Sequence, residues 1–242
     1  MNYENMLTLK EHLAKHDAGI WLDVATGRGD FLKFALNSFR SYQSIAAIDN
    51  DPDTLAQAIK QLKDSPVILL MGSALQMPFN NGYFDTITMS NALHHIENLQ
   101  QLFAETVRVC RQGGSVIVNE MLNDSNSPIE ETYMMYHRLV SDIDHQYGRY
   151  HRDTYTLKEM MSLLNNGNFQ LVDYFIHAEV SGDNMNKDEI DSISDRLRKK
   201  VSMLKGTDYY YFYENKAREV INVFIKNGIR RPRHATFLLK VA

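Results

Sequence analysis

Cysteine is almost missing from this 242-residue chain; Cys110 stands alone. An internal disulfide is therefore excluded, as is a zinc site built on thiolates, and a reducing compartment fits. Proline is scarce, with five residues, and no Pro- or Ser-rich linker or internal repeat divides the chain. No apolar run approaches the ~20 residues that a membrane span requires. The first residues, Met1-Asn2-Tyr3-Glu4-Asn5, lack the basic stretch and apolar run of a secretory signal. A cytoplasmic location is the expectation.

What is present suits a packed α/β protein. Hydrophobic residues make up 44% and charged residues 23%, enough for one core with an insertion or lid. The net charge of −4 is unevenly spread. From Arg196 to Arg233 there are eleven Lys/Arg against three acids, a local +8, so the remainder carries −12. Such a segment is either a solvated helical face balancing an acidic body or a surface for an anionic partner.

The informative stretch is Ile20-Trp21-Leu22-Asp23-Val24-Ala25-Thr26-Gly27-Arg28-Gly29-Asp30-Phe31. A short apolar run stops in a turn of small residues and restarts as a helix. Glycines let backbone approach a ligand closely, and a helix start offers N–H groups. The pattern is D-x-A-x-G-x-G rather than the G-x-G-x-x-G of a pyrophosphate turn. A carboxylate at a strand end favours a ligand with a cationic end, and a dinucleotide oxidoreductase is correspondingly disfavoured. A second apolar run, Ser44–Ile48, ends in Asp49-Asn50-Asp51-Pro52, with Asp49 placed 22 residues past Gly27. An acid at that spacing can accept both ribose hydroxyls; an N-cap of the next helix is the alternative reading.

Further strands are expected at 67–71, 84–90, 115–120, 169–178 and 236–241, with helices between them. Thr156-Leu157-Lys158-Glu159 is a capping box. Ile190, Ile193, Leu197, Val201 and Leu204 step by 3, 4, 4 and 3, the stripe of an amphipathic helix. Alternating strands and helices predict a doubly wound, mostly parallel sheet.

Residues 19–121 resemble the class I S-adenosylmethionine (SAM)-dependent methyltransferases of the small-molecule type. The resemblance is carried by the 23–29 turn, by Asp49, by Gly72-Ser73-Ala74-Leu75-Gln76-Met77-Pro78-Phe79, and by Phe84-Asp85 leading to Leu93-His94-His95. Ala25 stands where the family has Gly, and Ser73 where it has an acid, which weakens the hydrogen bond to the adenine amino group. The resemblance implies a Rossmann-like sheet of seven strands, the last antiparallel and inserted between the fifth and sixth. It implies a single domain over 1–242, with a core of about 17–121, 169–178 and 233–242 and helical insertions at about 122–167 and 183–232. Implied cofactor-binding residues are Asp23, Ala25, Gly27, Gly29, Asp49, Asn50, Ser73, Ala74, Leu75, Ser90 and Asn91. His94 and His95 fall beside the reactive methyl, although a capping role would explain either.

Beyond the fifth strand lies Asp142-Ile143-Asp144-His145-Gln146-Tyr147-Gly148-Arg149-Tyr150-His151. Asp142, Asp144, His145 and His151 match no tight metal pattern, so no metal is expected. His95 and His151 are the candidate bases. His94, Tyr136, His145, Tyr147 and Tyr150 are the candidate substrate contacts, the tyrosine faces suiting a cationic sulfonium. The expected activity is methyl transfer to a small-molecule acceptor under a helical lid. The alternative is a methyltransferase or SAM-binding protein that docks RNA or protein through the basic, Tyr-rich 196–233 segment. A homodimer is compatible with either, and no membrane partner is expected.

Overall fold

A computed structural model describes residues 4–124, 127–165, 167–178 and 183–242, with the backbone alone for residues 4–8. In chain order the elements are β1 (Glu4–Asn5), α1 (Met6–Leu13), β2 (Ile20–Val24), α2 (Asp30–Leu36), β3 (Ser44–Asp49), α3 (Pro52–Gln61), β4 (Val67–Met71) and β5 (Phe84–Ser90). A 3-10 turn follows at Leu93–His95, then α4 (Leu99–Val109), β6 (Cys110–Met121), α5 (Pro128–Gln146), α6 (Leu157–Leu164), β7 (Phe169–Ala178), α7 (Lys187–Ser202), α8 (Tyr210–Asn227) and β8 (His234–Val241).

The strands form one sheet in the order β1-β7-β8-β6-β5-β2-β3-β4. All pairings are parallel except those of β8, which runs antiparallel between β6 and β7. This is the expected seven-stranded arrangement with one addition: two-residue β1 pairs with the end of β7. A strand that short carries no readable alternation. Helix α4 ends at Val109; Arg111 lies beyond it and pairs through Nε with Asp85 at 2.7 Å.

Period-two alternation sorts the strand residues onto two faces. Leu22, Val24, Val116 and Val118 join one buried cluster with Phe84, Phe103 and Phe237. Trp21, Ile45, Ala47 and Ile117 join the other with Leu9, Leu13 and Leu32. A third cluster unites Leu139 and Ile143 of α5 with the predicted α7 stripe and with Val220, Ile221 and Phe224 of α8. Burying one such side chain contributes roughly 1.5–3 kcal/mol, so α7 and α8 are fixed to α5 through these stripes. Among the described residues, no helix is long and apolar enough to cross a membrane.

The segment after β4 is latched from α4. Glu105 Oε2 accepts from Met77 N at 2.8 Å, and Arg108 donates to Glu105, to Met77 O and to Phe79 O at 2.7–2.8 Å. Because Glu105 is buried, Glu105→Ala leaves a buried N–H without a partner. Urea unfolding should show a loss of about 1–3 kcal/mol, with Glu105→Gln losing less. An unchanged midpoint would mean that water replaces the latch.

Candidate active site

The site lies at the carboxyl ends of β2, β3, β5 and β6, the place for ligands in an open parallel sheet. At the end of β2, Asp23 is 2% exposed. Its carboxylate accepts from Thr88 Oγ1, and Thr88 in turn accepts from Trp21 Nε1 at 2.9 Å. Burial pushes the Asp23 carboxyl up to about 6, and the nearby Asp49 charge adds to the effect. The turn that follows is left-handed at Ala25 (φ 54°), Gly27 (φ 55°) and Gly29 (φ 82°). Ala25 therefore occupies a conformation that glycine adopts without strain.

The two glycines have different tasks. A Cβ on Gly29 would come 2.8 Å from Leu62 Cδ1, so Gly29 permits the α2–α3 approach. A Cβ on Gly27 would meet nothing within 4 Å, so the space in front of it is open. Both N–H groups are engaged: Gly29 N donates to Thr26 O at 2.9 Å and Gly27 N to Asp49 Oδ2 at 2.7 Å. Asp49 Oδ1 accepts from Asp51 N at 2.9 Å. The N-cap of α3 is Asp51 rather than Asp49. Thr26 Oγ1 is buried, and the Thr26 side chain interacts with the Asp23 carboxylate, opposing the rise in its pKa.

The other expected cofactor residues line the same edge. Asn50 is exposed. Ser73 Oγ accepts from Leu75 N at 3.1 Å, and Leu75 O accepts from Gln101 Nε2 at 3.1 Å, which fixes the turn through Ala74. Ser90 Oγ accepts from Asn119 Nδ2 at 2.9 Å. Asn91 (φ 49°) accepts from Met121 N at 3.0 Å and lies 3.2 Å from His234 Nε2. His234, at the start of β8, is buried, which lowers its pKa to about 4.

The structure assembles four histidines where the sequence suggested a pair. His94, His137 and His151 are buried; His95 is exposed. The His95 ring centroid is 4.3 Å from that of His94 and 4.1 Å from that of His151. Glu120, fully buried at the end of β6, accepts from Ala92 N and Leu93 N at 2.7 Å and lies 3.0 Å from His94 Nδ1. Burial pushes the Glu120 carboxyl up to about 7 and the His94 imidazole well below its ordinary value. His151 Nδ1 is 2.8 Å from Asp144, and burial lowers its pKa as well. Lys200 of α7 pairs with the other Asp144 oxygen.

The remaining candidates lie around this cluster without joining it. His145 is exposed on the last turn of α5, and Tyr150 is 38% exposed. The Tyr147 hydroxyl is buried without a partner among the described residues. Tyr136 is partly buried, which raises its pKa against the pull of Arg196, Arg28 and Arg231. Between Tyr147 and Tyr150, Arg149 reaches across to Asp51 at 3.8 Å. Glu120, His137 and Asp153 were not singled out by sequence reasoning. The one signal for Glu120 was an acid closing the strand Val116-Ile117-Val118-Asn119.

Comparison with known proteins gives a consistent result. Residues 22–118 match the family model described as a methyltransferase domain. A demethylmenaquinone methyltransferase of Shouchella clausii is 22% identical over 160 residues, 65% of this chain and 68% of its own length. The match to the enzyme of the same name from Bacillus cytotoxicus spans only 52% of that relative, at 25% identity. Among solved structures, YjhP of E. coli shares the fold with a TM-score of 0.61 at 14% identity, over 98% of this chain and 91% of its own. A Haemonchus contortus phosphoethanolamine N-methyltransferase solved with S-adenosylhomocysteine gives 0.54 at 16% identity, over 97% and 52%.

The open space before Gly27 yields a test. Gly27→Val places a branched side chain in the crevice and, at this φ, costs about 1–2 kcal/mol of stability. The variant should fold, melt lower and show no SAM heat in calorimetry; unchanged SAM affinity would remove the turn from the site. The turn, the sheet order and the match point the same way: residues 22–118 of this chain are similar to the methyltransferase domain, set in a sheet of the order that the resemblance to class I SAM-dependent methyltransferases implies.

Proposed function

We propose that this enzyme transfers the methyl group of SAM to a small-molecule acceptor held between the carboxyl end of the sheet and a roof made by α5 and residues 147–155. The observation that carries the reading is the open space before Gly27 with the Asp23 and Asp49 carboxylates at the ends of paired strands β2 and β3. Asp23 and the Gly27 turn would hold the methionine end, Asp49 and Asn50 the ribose, and Ser73, Ala74 and Leu75 the adenine, with Ser90 and Asn91 at the floor. When bound, SAM supplies an electrophilic methyl on a cationic sulfur.

The chain's own task is then placement. Holding a nucleophile in line with the methyl is worth up to ~7–11 kcal/mol in favourable intramolecular cases. The Arg149–Asp51 contact joins the roof to the ribose end of the crevice, which supports a lid that excludes water. Tyr136, Tyr147 and Tyr150 are placed to give aromatic faces to the acceptor. For a hydroxyl acceptor the base is His95, the exposed member of the four histidines; His151 is buried, with Nε2 turned toward His137. The relatives named above bear the names of a quinone methylase and an amine methylase, so the accepting atom is left open.

The reading with RNA or a protein as substrate is less well supported. Much of the charge in α7 and α8 is spent locally, in the pairs Lys187–Asp191, Arg198–Asp195, Lys216–Glu219 and Arg218–Glu214, and Lys200 is turned inward to Asp144.

Calorimetry with SAM, S-adenosylhomocysteine and NAD tests the cofactor assignment; heat with NAD alone would overturn it. The Asp23 environment adds a pH dependence. Its folded pKa lies above the ordinary carboxylate value, so below about pH 6 the free protein holds a proton there. Binding the cationic amino end must release that proton, so SAM affinity should fall about tenfold per pH unit below 6 and level off above it. Asp23→Asn should bind weakly with a flat profile. A flat wild-type profile between pH 5 and 8 would place the amino end elsewhere.

A further inference from the structure

We propose that His94, His137 and His151 form a site for one zinc-class divalent ion, clamped between the roof and the carboxyl end of the sheet. The proposal concerns a binding site and does not depend on which acceptor is methylated.

Three observations converge. First, one ring nitrogen from each histidine lies within 4.8 Å of the other two, and all three residues are buried. His137 Nε2 and His151 Nε2 are 3.3 Å apart. Two nitrogens bound to a tetrahedral zinc at 2.0–2.1 Å are separated by about 3.3–3.4 Å.

Second, each Nδ1 faces its own carboxylate: Glu120 at 3.0 Å from His94, Asp144 at 2.8 Å from His151 and Asp153 at 3.6 Å from His137. A carboxylate behind each imidazole is the usual outer support of a metal-bound histidine, because it fixes the tautomer and leaves Nε2 as the ligand atom. The carboxylates come from β6, α5 and the loop after α5, so three separate parts of the chain contribute the same arrangement.

Third, the acids behind the cluster do not need protonated imidazoles as their counter-ions. Arg138 pairs with Asp153 at 3.0 Å and Lys200 with Asp144, so these two acids are already neutralised. The Nε2 atoms of His137 and His151 are 3.3 Å apart and share at most one proton, whose place an ion can take.

An all-imidazole set favours zinc, copper or nickel over magnesium or calcium. Three protein ligands leave a fourth position open, the pattern of sites where water or a substrate atom completes the shell. Exposed His95 stands next to it.

The test uses the full chain, stripped with a chelator, dialysed and titrated with zinc chloride alone, then with cobalt chloride alone. We expect one equivalent of zinc to be retained and a four-coordinate cobalt spectrum. Asp153→Asn, which leaves all three ligands in place, should weaken zinc about 10–100-fold. His137→Gln should weaken it more, while His16→Ala, at an exposed histidine outside the cluster, should not. Should His137→Gln fail to fold, Asp153→Asn decides. Folded wild-type protein that retains no zinc after dialysis, or an Asp153→Asn variant that binds as tightly as wild type, overturns the proposal and leaves a cluster that shares protons.

Discussion

The crevice depends on one carboxylate held by backbone. Asp49 accepts from Gly27 N on one oxygen and from Asp51 N on the other, so the tip of β3 pins the turn that follows β2. The turn is otherwise poorly placed: three of five successive residues, Ala25, Gly27 and Gly29, sit at positive φ, and one of them carries a Cβ. A charge-assisted hydrogen bond is about twice as strong as a neutral one, which makes Asp49 a plausible counterweight to that strain. The same residue faces the space where a ribose would lie. Both oxygens are already engaged, so the ribose proposed for this crevice would have to share Asp49 with the turn it helps to hold.

A second buried acid does the equivalent work on the roof side. Glu120 satisfies the N–H groups of Ala92 and Leu93, which closes the turn after β5 and turns His94 Nδ1 toward the same carboxylate. Desolvating a carboxylate is expensive unless its oxygens are filled, and here they are filled by two amides and an imidazole. From this anchor the roof is tied down in steps: Arg152 N to His94 O at 3.0 Å, the Arg152 guanidinium 3.9 Å over the Tyr155 ring, and Ser141 to His151 O. The helix α5 is consequently buried on two faces, one apolar against α7 and α8 and one polar against the histidines.

That double burial explains what could and could not be read from the chain. The β2 turn, Asp49 and the Thr156 box were legible because their meaning lies in short spacings. The α7 stripe was legible because a single face carries its apolar residues, and all five are buried. On α5 buried residues lie on two faces, and no single stripe marks the polar one, where His137 and Asp144 lie seven residues apart. The dense run at 142–151 pointed to His145, which is exposed, and missed His137, which is buried. Position 94 lies 26 residues from Glu120 and more than 40 from His137 and His151, and no local pattern encodes such a meeting. The Ser127–Glu130 box at the start of α5 was written in the sequence and overlooked.

The basic segment shows how net charge misleads when it is separated from packing. Its +8 suggested a surface for an anionic partner, yet α7 and α8 are organised by the apolar residues between the charges. Those residues face α5, which orients the lysines and arginines outward, where acids three or four residues away partner several of them at modest energetic value. Arg196, whose Nε is buried, and Lys200 are exceptions, and Lys200 is the more informative. It leaves the outer face, is only 21% exposed at its side chain and pairs with Asp144, the acid that orients His151. The excursion between β7 and β8 is thus coupled to the histidine cluster through one ion pair. It is better understood as a brace for the roof than as a platform of its own.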